Sequence, residues 1–162
     1  MRQVLVMGLA LMALASDPRP RFRLAVAGPA PLASGFVELS PSPSPFALAV
    51  TTDGRVVYDL DISVHALPDP SSLGDYVRYE AWLATPDLGL VRDLGAIGND
   101  VALRAHADWN KFTVVISAEP ATAGATAAAR WHGAIVLVGR SPSSLMQSFA
   151  GHSFYNTGMP PE

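Results

Sequence analysis

Cysteine is absent from the 162-residue chain. That absence excludes disulfides, thiolate metal centres, cysteine nucleophiles and the lipid-modified cysteine of a bacterial lipoprotein together. Stability must then come from packing, which a chain of this length can supply without staples. Lysine is almost missing too: Lys111 is the sole one, and 11 Lys and Arg stand against 14 Asp and Glu. Nucleic-acid binding needs a dense row of cations to displace counterions from phosphates, and cations scattered singly do not make one. Long apolar runs are also lacking beyond Val4 to Leu14, which is too short to span about 30 Å of hydrocarbon. No Gly-x-Ser-x-Gly elbow, His-Glu-x-x-His or glycine-rich phosphate loop occurs, so the familiar catalytic signatures are missing.

What is present begins with an address. Met1-Arg2-Gln3 is a short cationic start, Val4 to Leu14 is apolar, and Ala13-Leu14-Ala15 places small residues before a cleavage point at Ser16. This pattern predicts a secretory signal peptide over 1–15 and a periplasmic or extracellular mature protein with no membrane span after processing. A hydrophobic fraction of 49% with only 15% charged residues excludes a solvated, disordered chain.

Residues 16–45 are rich in proline, ending in Ser40-Pro41-Ser42-Pro43-Ser44-Pro45. The prolines predict an extended segment joined by a stiff linker to the body, with two edge-forming strands at Phe22 to Ala27 and Phe36 to Leu39. Arg19, Arg21 and Arg23 alternate with Pro18, Pro20 and Phe22, which reads as a solvated leader. From Phe46 the chain changes to short β-rich runs. Phe46 to Thr51 and Arg55 to Val64 flank Thr52-Asp53-Gly54, a hairpin signal. Val57, Asp59, Asp61 and Ser63 interleave with Val56, Tyr58, Leu60, Ile62 and Val64, the period of a strand with one wet face. Further strands are expected at Tyr76 to Ala84, Leu88 to Ala96, Val101 to Ala105, Phe112 to Ala118 (the most apolar, hence central) and Ala134 to Val138, closed by Gly139. A short helix is expected at Ser143 to Phe149. The fold class is therefore all-β: an immunoglobulin-like antiparallel β-sandwich of about 7–9 strands over 46–142, with a C-terminal tail over 143–162.

Chemical groups are sparse. Asp59 and Asp61 share one strand face at about 7 Å, a spacing compatible with paired catalytic carboxylates, although a solvated face is the simpler reading. The histidines at 65, 106, 132 and 152 are far apart and read as surface or hydrogen-bonded residues. Met146, His152 and Met159 gather thioether and imidazole ligands near Gly151 and Gly158, a set suited to copper(I); ordinary packing and a frayed end are the competing reading. Trp82 is expected in the core, while Trp109 and Trp131 are the candidates for a sugar-stacking platform.

Tyr79-Glu80-Ala81-Trp82-Leu83, Leu94-Gly95, the run Phe112 to Pro120 and Ile135-Val136-Leu137 before Gly139 resemble, in order and spacing, the extracytoplasmic C-terminal domain of anti-sigma-K factors. The resemblance covers about residues 79–142 and implies a β-sandwich used for sensing, binding or structure, with no catalytic residues to transfer. The cytoplasmic sigma-binding helices and the membrane span of that family have no counterpart here. The sequence thus leads to an exported, non-enzymatic module for a partner protein or small ligand, with no cofactor assigned. The alternatives are a copper-handling accessory and a structural subunit that lends its 17–45 segment to a neighbour's sheet. An unrecognised hydrolase is the residual enzyme class.

Overall fold

The computed structural model describes residues 19–45, 47–121 and 130–145. The chain is all-β, as the strand periodicities require. Eight antiparallel strands form one sheet: β1 (Arg21–Val26), β2 (Ser34–Pro41), β5 (Tyr58–His65), β6 (Arg78–Ala84), β7 (Val91–Ile97), β8 (Leu103–Ala107), β9 (Thr113–Glu119) and β10 (Ala134–Arg140). A small separate hairpin pairs β3 (Pro43–Ser44) with β4 (Ala47–Leu48). The order in the large sheet is β7-β6-β9-β10-β1-β2-β5-β8. It folds over into two four-stranded layers, and β1 is the fold line. Residues 21–24 of β1 pair with β2, whereas Ala25 and Val26 pair with β10.

Alternation builds the core. Val37 and Leu39 of β2, Leu60, Ile62 and Val64 of β5, and Tyr79, Ala81 and Leu83 of β6 turn inward to meet Val114, Ile116 and Ala118 of β9. Burying a side chain of this kind contributes about 1.5–3 kcal/mol. β9 lies between β6 and β10, and every one of its residues is buried. It is central, as its apolar run predicts.

The N-terminal segment departs from expectation. β1 and β2 lie inside the strand order of the protein's own sheet: β2 is paired on both sides, by β1 and β5, and β1 passes from β2 to β10 along its length, so neither is an end strand. The division expected at residue 45 falls between strands of one continuous fold. The prolines punctuate ends: Pro20 precedes β1, Pro29 and Pro31 lie in the turn after it, and Pro41 ends β2. Within β1, Phe22 and Leu24 face inward, Leu24 in the core and Phe22 edge-on to Phe112 at 6.1 Å. Arg21 and Arg23 face out, so they belong to a strand and not to a leader. In this structure the segment pairs within the protein's own sheet, residues 21–24 with β2 and Ala25 and Val26 with β10.

The Asp53-Gly54 turn forms as predicted, with Gly54 at φ 80° and Val50 bridged to Val56. The long strand that follows starts only at Tyr58. β10 runs through Gly139 to Arg140 instead of closing there. A Cβ at Gly139 would lie 2.6 Å from the Leu24 side chain and 2.8 Å from the Arg23 carbonyl oxygen. Glycine is needed where β1 crosses β10 closely, and it does not end the strand. Of the expected C-terminal helix, residues 142–145 form a helical turn and the remainder lies outside the described residues.

The sheet is nearly closed. β7 and β8 are its two ends, and no backbone ladder joins them. Arg92 of β7 bridges the gap: its guanidinium lies 2.9 Å from Asp108 Oδ1, just beyond β8, and 5.0 Å from the Trp109 ring centroid. No helix among the described residues is long and apolar enough to cross a membrane.

Candidate functional site

Asp59 and Asp61 do share the outer face of β5, between β2 and β8. Both are engaged. Asp59 Oδ1 accepts a hydrogen bond from Ser42 Oγ and lies 2.8 Å from His106 Nδ1. Asp61 is flanked by Arg104 at 3.3 Å and Arg19 at 3.7 Å. The Ser42 hydroxyl, with the His106 ring in a lesser role, holds the Asp59 carboxyl below its ordinary range. A glycosidase acid needs the opposite shift, so Asp59 does not suit the acid's role in such a pair. Nor does Ser42–Asp59–His106 make a nucleophilic triad. There the histidine must stand between serine and carboxylate to take the hydroxyl proton, whereas here the carboxylate stands in the middle.

The described histidines are not brought together. His65 Nδ1 pairs with Asp100 at 2.7 Å, His106 with Asp59, and His132 Nδ1 lies 4.0 Å from Glu119. No group of three or more His, Asp or Glu among the described residues is arranged to hold a metal ion. Met146, His152 and Met159 lie outside the described residues.

The tryptophans are placed otherwise than a sugar platform requires. Trp82 is buried as expected, but it points to the outer face of β6, away from the interlayer core. Trp131 meets it edge-on at 6.4 Å, with the Arg130 guanidinium 5.6 Å from its ring centroid. Arg92 stands in the same relation to Trp109. Each candidate platform ring therefore already carries an internal cation.

Trp82 opens onto a polar network that the sequence did not announce. Its indole N–H donates to Ser117 Oγ at 2.8 Å, and the Ser117 hydroxyl donates to Glu119. Glu119, fully buried, also accepts the backbone N–H groups of His132 at 3.0 Å and Gly133 at 3.4 Å. Alongside it, buried Glu80 pairs with Arg78 Nε at 2.6 Å. A Cβ on Gly133 would sit 1.7 Å from the Ala118 carbonyl oxygen, so only glycine lets that backbone approach the carboxylate. A carboxylate sealed from solvent and satisfied by fixed donors positions a connection and has no route to a substrate. The one signal in the sequence was a glutamate at the end of an otherwise apolar strand.

The open chemistry lies on the outer face of β1, β2, β5 and β8. Cross-strand registry sets Arg21 opposite Glu38, Glu38 opposite Asp61 and Asp61 opposite Arg104. The next row carries Arg23, Phe36 and Ser63. Beyond it His65 stands opposite Ser34, its ring 6.1 Å from that of Phe36. Arg21, Arg23, Phe36 and His65 border a shallow groove of about 530 Å³ floored by Gly35. Further along the same face, Asp61 and Arg104 in the row of Arg21 and Asp59 and His106 in the next row border another of about 370 Å³. No protein-family model matches this chain, and no curated protein and no solved structure matches it either.

Proposed function

We propose that this protein is an exported, non-enzymatic β-sandwich module that binds a partner outside the cytoplasm through the outer face of β1, β2, β5 and β8. One observation carries the reading. That face combines half-buried Phe36 with exposed Arg21 and Arg23 around a groove of ligand-binding size, while the carboxylates and histidines that catalysis would need are held in mutual pairs. The leader-like residues 1–15 support export. The likeness of residues 79–142 to the extracytoplasmic domain of anti-sigma-K factors supports a sensing or binding role.

The test is a photo-crosslinking residue placed at Phe36, with Leu90 on the other layer as reference, in cells that export the protein. A specific adduct is expected from Phe36 in the extracytoplasmic fraction and none from Leu90. Retention of the protein in the cytoplasm, or equal labelling from both positions, overturns the reading.

A further inference from the structure

We propose that the β1 end of this face takes a short, extended acidic peptide segment, with carboxylates at alternate positions on Arg21 and Arg23 and an apolar group on the Phe36 ring. This rests on the binding-module reading and names the chemistry of its partner.

Spacing is the first argument. Arg21 and Arg23 are two residues apart on one strand, so both guanidiniums leave the same face about 7 Å from each other. An extended peptide repeats its same-side residues at that interval, and carboxylates at i and i+2 therefore match the two arginines in register. Each contact would be a charge-assisted, fork-shaped pair.

Vacancy is the second. Arg19, Arg55, Arg78, Arg92 and Arg104 are each held by a carboxylate of this chain. Arg21 and Arg23 have neither an ion pair nor a side-chain hydrogen bond among the described residues. Phe36 lies directly opposite Arg23 and is only half-buried, so a flat apolar surface adjoins the cations. His65 abuts that ring and is itself fixed through Nδ1 by Asp100.

The boundary of the site selects the kind of anion. Glu38 stands beside Arg21, and beyond it Asp61 and Asp59 already engage Arg104, Arg19 and His106, so a long polyanion crossing the face would pass from Arg21 and Arg23 onto carboxylates whose cations are taken. The chain as a whole carries a net charge of −3. A short acidic segment satisfies the two arginines and ends before that region, whereas a phosphate or sulfate polymer does not.

Fluorescence anisotropy with a labelled Gly-Ser-Leu-Ser-Glu-Ser-Glu-Ser-Gly peptide, whose leucine and two glutamates share one side when extended, tests this on the purified chain. Its glutamine counterpart and inorganic polyphosphate serve as the comparison probes. The acidic peptide should bind and be weakened by salt, and the glutamine peptide should bind roughly tenfold more weakly or worse. Arg21→Gln with Arg23→Gln should cause a similar loss without changing the melting temperature, and Arg55→Gln, in the Asp53-Gly54 turn and paired with Asp53, should not. Undiminished binding by the double variant, no binding at millimolar peptide, or tighter binding of polyphosphate through the same arginines would each overturn the proposal. If the Phe36 adduct survives in the double variant, the acidic-segment proposal fails while the binding module stands. If the peptide binds as expected but the protein is retained in the cytoplasm, the export part of the reading fails while the acidic-segment site stands.

Discussion

The carboxylate of Glu119 at the end of β9 accepts the backbone N–H of His132 at 3.0 Å, thirteen residues along the chain. Both ends of the β9–β10 connection are therefore pinned to one buried group. Glu119→Ala would leave the Ser117 hydroxyl and the His132 and Gly133 N–H groups without their acceptor in a sealed site. The expected cost is about 3 kcal/mol, since removing one member of a buried charged network leaves its partners unsatisfied. Urea unfolding measures it, and an unchanged midpoint would show that the network is not structural.

Val115 tests the adjoining apolar part of the same outer face. It is 2% exposed and lies opposite Trp82. Val115→Asp places a carboxylate there with no cation provided for it, and several kcal/mol should be lost. A thermal melt equal to that of the parent would remove β9 from its central place.

The seam between β7 and β8 depends on side chains, because no ladder closes it. Arg92→Ala removes both the Asp108 ion pair and the contact with the Trp109 ring. The Arg92 and Asp108 side chains are 44% and 35% exposed, so the ion pair is discounted for screening. A loss of about 1 kcal/mol is expected, mainly from the cation–ring contact. In a double-mutant cycle with Asp108→Ala the two losses should be less than additive. Full additivity would mean that the two groups do not act together.

Much of the fold was legible because burial imposes period two on a strand. Leu60, Ile62 and Val64 announced the inner face of β5, and the apolar run through Ile116 announced β9. The same rule operates in Arg21-Phe22-Arg23-Leu24, but flanking prolines give that stretch the look of a solvated leader. Only long-range pairing with β2 and β10 reveals it as interior. The candidate site was legible in part. Asp59 and Asp61 share a face as their spacing requires, but their partners Ser42, His106, Arg104 and Arg19 come from elsewhere in the chain. Glu119 could not be interpreted from sequence, because the donors that fix it are backbone groups brought back by a distant turn.

The proposed export has a direct consequence in mass. Protein recovered from the extracytoplasmic fraction is expected to begin at Ser16, since the small residues Ala13 and Ala15 frame the cleavage point. Intact-mass measurement decides it, and secreted material that retains Met1 overturns the leader assignment.

Asp59 provides a pH test whose sign follows from its partners. The Ser42 hydroxyl and, to a lesser degree, the His106 ring favour the charged carboxylate and hold it below the ordinary value of 3.8, against the opposing effect of desolvation. A group with a depressed folded value stabilises the fold above its unfolded value, about 3.9, and loses that contribution as pH falls through the folded value. Acid should therefore weaken the link between β5 and the Ser42 segment, while neutral and alkaline solutions leave it intact. The Asp59 side chain is 36% exposed, so solvent screens most of the effect on global stability, and the carboxyl resonance of Asp59 is the more direct readout. Ser42→Ala should raise its titration midpoint towards the ordinary value, and His106→Ala should raise it less, because the hydroxyl is the stronger cause. A wild-type midpoint at or above the ordinary value, or a larger shift from the histidine variant, would show that Ser42 does not set the charge on this face.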